Sequence, residues 1–192
     1  MRTTQRENVG LSCSTPSPVY DLVGTRRMSD DPLPSGTRGA ASVDIADPGG
    51  RLPEQPTRWL RDRLAAALTH LGLTGRVEVR LVGDAEMAAA HERFGGVPGT
   101  TDVLTFDLRG TPEGPLDADL VLCVDEARRQ SGQRRHPVEA ELLLYALHGV
   151  LHCLGEDDHA EDAAERMHDR EDEVLTAIGV GPVFAERAEG GS

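Results

Sequence analysis

Two histidines, His148 and His152, stand four residues apart within a run of good helix formers, and Gly155 follows three residues later. No other feature restricts the chain so tightly. The i, i+4 spacing stacks both imidazoles on one face of a helix, one turn apart. The preceding segment at 139–147, EAELLLYAL, joins high helix propensity to an apolar face, so the pair sits inside a helix that packs on a core. Gly155 permits the sharp turn that other residues resist. Asp158 and His159 then follow within reach of the same point. Three ligands that leave one coordination position open describe a catalytic zinc site rather than a structural one. One Zn2+ per chain is expected, held by His148, His152 and either Asp158 or His159.

The spacing resembles the zincin helix H-E-x-x-H-x-x-G-x-x-H/D, with one departure. The general-base glutamate of that motif would stand at position 149, and this chain has Gly149. The usual water-activating carboxylate of a metalloprotease is missing, so peptide hydrolysis is not expected.

The form H-G-x-L-H-x-x-G, followed by a short acidic and histidine cluster, resembles the YbeY family of metal-dependent endoribonucleases. Thr101-Asp102-Val103-Leu104-Thr105-Phe106 is similar to the family's T-D-V-L-S-F segment. Asp117-Ala118-Asp119-Leu120-Val121-Leu122 resembles its G-D-I-x-I-S strand, with Ala118 replacing the glycine. The three blocks keep the family's order, and the resemblance covers about residues 43–184. It implies a single-strand-specific endoribonuclease acting in late-stage 70S ribosome quality control and in maturation of the 3′ end of 16S rRNA. It also implies ribosomal RNA and the 30S subunit as partners, possible ribosomal proteins beside them, a cytoplasmic location and no membrane.

Two departures bear on that expectation. The family's commonest third ligand is a histidine six residues after the second, which is Asp158 here, with His159 one residue later. Carboxylate oxygen and imidazole nitrogen both suit zinc. Asp158 holds the motif register. Upstream, the family has an arginine in a Y-R-G-x-D segment that contacts RNA, whereas the matching stretch Phe94-Gly95-Gly96-Val97-Pro98 has Gly95. Asp102, at a strand end, is expected either to orient a ligand histidine through a hydrogen bond or simply to cap the strand. Thr101 and Thr105 either contact phosphate or pack as β-branched strand residues. Two rival functions remain beside the nuclease: a ribosome assembly factor whose metal is mainly structural, and a metallohydrolase of another substrate.

Composition sets the frame. A chain of 192 residues with 38% hydrophobic content buries one core. Residues 1–40 are rich in Ser, Thr, Pro, Gly and Arg without an apolar period, which reads as a disordered extension before a single hydrolase domain at 41–184 and a flexible tail at 185–192. No segment approaches the length of a membrane span. Cys13, Cys123 and Cys153 are odd in number and irregular in spacing, which excludes a disulfide framework and suits a reducing compartment. The net charge of −13 sits poorly with phosphate binding. All 20 basic residues are arginines, and Arg128, Arg129, Arg134 and Arg135 form the best basic cluster.

Helix and strand signals alternate along the domain. A strand is expected at 41–46, and a helix opened by Pro56 and Thr57 carries the stripe Leu60, Leu64, Ala67 and Leu68. Val77, Val79 and Leu81 alternate with polar residues as a half-buried strand. Asp84 caps a helix that runs to Phe94. Apolar runs at 102–107 and 119–125 form a hairpin-like pair of central strands. A helix starts near Asp125, Pro137 opens the histidine helix, and a last helix at 160–178 buries Ala164, Met167, Val174, Leu175 and Ile178. The class is α+β, close to α/β, with a small mixed sheet packed by helices and the metal ligands on and just after a helix in the C-terminal half. Deletion of residues 1–27 should shift the thermal midpoint by less than about 2 °C, below what ~1 kcal/mol causes in a domain of this size. A scanning melt of the two proteins checks it.

Overall fold

Val77, Val79 and Leu81 give one strand an apolar face, and the computed structural model of the protein, which describes residues 41–156 and 160–183, places that strand inside a four-stranded sheet. The elements run β1 (Ser42–Ala46), α1 (Glu54–His70), β2 (Gly75–Val82), α2 (Asp84–Gly95), β3 (Val103–Asp107), β4 (Leu116–Cys123), α3 (Val124–Arg134), α4 (Val138–Cys153) and α5 (Glu161–Ala177). The sheet order is β1-β2-β4-β3. β1, β2 and β4 are parallel, and β3 runs antiparallel to β4 with Thr105 opposite Leu120. The class is α+β with a mixed sheet. The expected extension, the tail at 185–192 and the last residue of the expected domain, Phe184, lie outside the described residues.

α4 is the centre of the packing. A helix that is apolar around most of its circumference must be covered on nearly every side. Of its residues only Val138, Glu139 and His152 escape full burial. It lies against β3 and β4, with α1, α3 and α5 around it. Val77, Val79, Leu81, Leu120 and Leu122 meet Leu64, Leu68, Leu143, Leu147 and Leu151 in this larger core. Each such side chain stabilises the fold by about 1.5–3 kcal/mol on burial.

Gly149 is where the helix comes closest to the sheet. A Cβ there would stand 2.6 Å from Thr105 Oγ1 and 2.9 Å from Leu120 Cδ2. The glycine therefore does more than lack a carboxylate, because any side chain there makes the neighbouring sheet side chains shift. Thr105 is buried and packs at this contact.

Several local expectations are corrected. β4 is central, but β3 is an edge strand. It is nonetheless buried on both faces, because α4 covers one and a smaller cluster around α2 covers the other. In that cluster Phe94 meets Phe106 edge-on at 5.3 Å. α1 begins at Glu54, so Pro53 rather than Pro56 precedes the first turn. Gly83, not Asp84, is the N-cap of α2, and its amide donates to Glu86 Oε2 at 3.0 Å. Asp84 instead accepts from Arg129 at 2.7 and 2.8 Å. On α5 the residue turned inward is Ala163 rather than Ala164.

Gly149→Ala should destabilise the fold by about 1–2 kcal/mol. Overpacking costs ~1–3 kcal/mol, and the better helix propensity of alanine offsets up to ~1 kcal/mol of it. Urea unfolding checks the value, and adding Thr105→Ala, which removes the nearest atom, should recover part of the loss.

Candidate metal centre

The C-terminal turn of α4 sets the geometry. Gly155 takes a left-handed φ of 88°, which lets the chain close a Schellman motif. The amide of Glu156 donates to Leu151 O at 3.1 Å and that of Gly155 to His152 O at 2.9 Å. This turn brings the carbonyl of Glu156 back to His152 Nδ1, 2.9 Å away. A carbonyl can only accept, so Nδ1 of His152 carries the proton and Nε2 keeps its lone pair.

His148 is fixed from the other side. Its Nδ1 lies 2.8 Å from Oε1 of Glu171, a fully buried carboxylate on α5. The carboxylate accepts the Nδ1 proton, and in the neutral ring Nε2 is again the atom with the lone pair. The two Nε2 atoms face each other at 2.8 Å, with the rings at 89°. Two converging Nε2 lone pairs are satisfied either by one proton shared between the rings or by a cation bound to both. The second arrangement is the candidate metal centre, and the carboxylate and carbonyl behind it match the outer partners that ligand histidines use. His148 is buried, whereas His152 is partly open to solvent, so the open side of the centre lies towards His152.

Among the described residues no group of three His, Cys, Asp or Glu side chains gathers to hold a metal. The described part of the site is the histidine pair. Both positions named for the third ligand, Asp158 and His159, lie outside the described residues. Asp102 Oδ1 accepts from Thr101 Oγ1 at 3.1 Å and from its neighbour's amide, Val103 N, at 2.9 Å, a local strand-end arrangement. The Nδ1 partners of the two histidines are Glu171 and the Glu156 carbonyl. Cys153 is a buried neighbour of the site, and burial pushes its thiol up to about 12, so it stays protonated.

Comparison with known proteins adds a separate line. The family model described as Endoribonuclease YbeY matches residues 50–179. An Endoribonuclease YbeY from Anaeromyxobacter sp. (strain Fw109-5) is 41% identical over 136 residues, covering 70% of this chain and 70% of that protein. One from Aromatoleum aromaticum is 36% identical over 154 residues, covering 79% of this chain and 96% of its own. The chain belongs to the endoribonuclease YbeY family. A solution structure from Thermotoga maritima is also similar, with a TM-score of 0.47 and 23% identity over 79% of this chain and 99% of that one.

A member of the YbeY family needs cations to meet RNA phosphate, and in this chain the expected basic cluster is largely tied up. Arg128 pairs with Asp125 at 2.9 Å, Arg129 with Asp84 and Glu126 at 2.7 Å each, and Arg134 with fully buried Glu141 at 2.8 Å. Arg93, two residues before Gly95, lies over the Phe94 ring at 5.1 Å. Of the remaining histidines, His91 is buried with Nδ1 3.0 Å from Gly99 O, and His136 sits 2.9 Å from Glu141. Neither belongs to the metal centre.

The role of Glu171 gives a direct test. Glu171→Gln keeps the shape but replaces the anionic acceptor behind His148 with an amide, and metal affinity should fall about 10–100-fold. Competition against a chromophoric chelator measures it. Unchanged affinity would remove Glu171 from the centre.

Proposed function

We propose that this chain is a zinc-dependent, single-strand-specific endoribonuclease that matures the 3′ end of 16S rRNA and acts in late-stage 70S ribosome quality control. The observation that carries the reading is the convergence of two imidazole Nε2 atoms 2.8 Å apart, each ring held from behind through Nδ1. His148 and His152 would hold the ion, with Asp158 or His159 completing the set. Imidazole nitrogen with carboxylate oxygen or a third imidazole suits zinc. The ion supplies a Lewis acid for a phosphoryl oxygen and lowers the pKa of bound water. Glu171 and the Glu156 carbonyl hold the ligand rings in the tautomer that presents Nε2.

Gly149 also favours RNA over peptide. It supplies no carboxylate to deprotonate water, and its close approach to Thr105 and Leu120 crowds any larger residue there, whereas RNA carries a nucleophile of its own in the 2′-hydroxyl. The partners that follow are ribosomal RNA on the 30S subunit and neighbouring ribosomal proteins, in the cytoplasm. No described helix is long and apolar enough to cross a membrane.

A second reading, an assembly factor with a structural metal, draws on the net charge of −13 and the paired arginines, which weaken phosphate binding. Chelation separates the two, since a structural site unfolds when stripped and an exchangeable one does not. For the nuclease reading, labelled ribosomal RNA and a casein-type peptide are incubated with wild type and His152→Ala, with and without chelator. Slow RNA cleavage, abolished by chelator and by the substitution, is expected, with the peptide intact. Equal RNA cleavage by the mutant would mark a contaminant, and chelator-sensitive peptide cleavage lost in the mutant would replace the reading with a protease.

A further inference from the structure

An α-helix ends with carbonyls that have no partner inside the helix, and on α4 these carbonyls lie beside a metal ligand. Leu154 N donates to Val150 O and Leu151 O at 3.1 and 3.0 Å, and the Schellman turn covers Leu151 O and His152 O. The carbonyl of Cys153, the residue after His152, is covered differently. Arg109, 44 residues away on the loop after β3, donates to it through Nη2. The same guanidinium grips Asp107 through Nε at 2.9 Å and Nη2 at 2.5 Å, and reaches Pro112 O through Nη1 at 2.8 Å.

The Arg109 side chain is only 10% exposed. Its positive charge stands at the negative end of the α4 dipole, and Asp107 beside it raises its pKa further, so the charge is permanent. One rigid fork thus joins the end of β3, the β3–β4 loop and the last turn of the histidine helix. An ammonium could not reproduce that geometry, because it has no planar array of donors.

We propose that Arg109 is a positioning residue for the metal centre. It anchors Cys153 O, holds the turn that returns the Glu156 carbonyl to His152 Nδ1, and so keeps the lone pair of His152 aimed at the ion. The proposal rests on reading the histidine pair as a metal centre. It assigns no contact between Arg109 and substrate.

The full-length protein tests it by Co2+ titration, read as a dissociation constant by chelator competition and as the visible ligand-field spectrum, well below each melting midpoint. Arg109→Met should weaken Co2+ binding by about 10-fold or more, the scale on which loss of outer support acts, and should change the spectrum. Arg109→Lys should fall between, about 3-fold weaker, because it keeps the charge and loses the fork. It also serves if the Met variant does not fold. Arg63→Met is the stability control, since Arg63 Nη1 donates to Ile178 O at 2.6 Å just past the end of α5. That control should lower the melting temperature and leave Co2+ affinity within about twofold. Wild-type affinity and spectrum in Arg109→Met, or in Arg109→Lys where only that variant folds, would overturn the proposal while leaving the metal centre intact. Equal weakening by Arg63→Met would overturn it too, as a general stability effect. Wild-type protein that binds no Co2+ would instead overturn the metal-centre reading, and the proposal with it.

Discussion

Everything at the centre depends on where two protons are held. The carbonyl of Glu156 and the carboxylate of Glu171 each accept an Nδ1 proton, so both histidines present Nε2 lone pairs to the same point. Neither acceptor is free to move. The first is placed by the Schellman turn at Gly155, the second by a fully buried position on α5. Two separate pieces of the fold therefore have to be correct before the pair can bind anything. A neutral imidazole whose tautomer is fixed in advance gives up little order on binding, and this is what an outer hydrogen bond contributes to a metal ligand.

The histidine helix carries this chemistry at some cost. Glu141, Tyr145, His148 and His152 fall at i, i+4, i+7 and i+11, a polar stripe along one side of an otherwise apolar helix. Burial of such groups is tolerated only with partners. Arg134 and His136 meet Glu141 at the start of the stripe, and Glu171 meets His148 near its end. Burial and the neighbouring Glu141 push the Tyr145 phenol well above its ordinary range, so it stays neutral between them. The apolar remainder of the helix, with Gly149 letting it settle onto the sheet, supplies the packing that holds the stripe in place.

Much of this was legible from residue spacing. The histidine pair, the turn at Gly155, the alternation of helices and strands and the mixed sheet all leave local periodic signals. Glu171 was missed because it lies in an acid-rich segment that reads as a solvated face. Its position nonetheless carried a signal, since Met167, Glu171, Val174 and Ile178 stand at i, i+4, i+7 and i+11, which puts a carboxylate on the buried stripe of α5. The edge position of β3 had no such signal. Its apolar run records burial on two faces, and that burial comes from α4 and α2 rather than from flanking strands. The role of Arg109 was likewise invisible, because it joins residues 44 apart in sequence.

The pairing of the arginines decides which of them can serve an RNA. An exposed ion pair contributes only about 0–1 kcal/mol, so Arg128 and Arg129, each nearly half-exposed, can exchange a carboxylate for a phosphate at small cost. Arg135, exposed and left-handed at φ 61°, stands beside them at the end of α3. Arg134 is different. Its partner Glu141 is fully buried, and withdrawing the guanidinium would leave that carboxylate inside the core with His136 alone beside it, a larger loss than at the exposed pairs. The basic cluster seen in the sequence therefore divides by burial of the partner, with three arginines available to a polyanion and one committed to the fold.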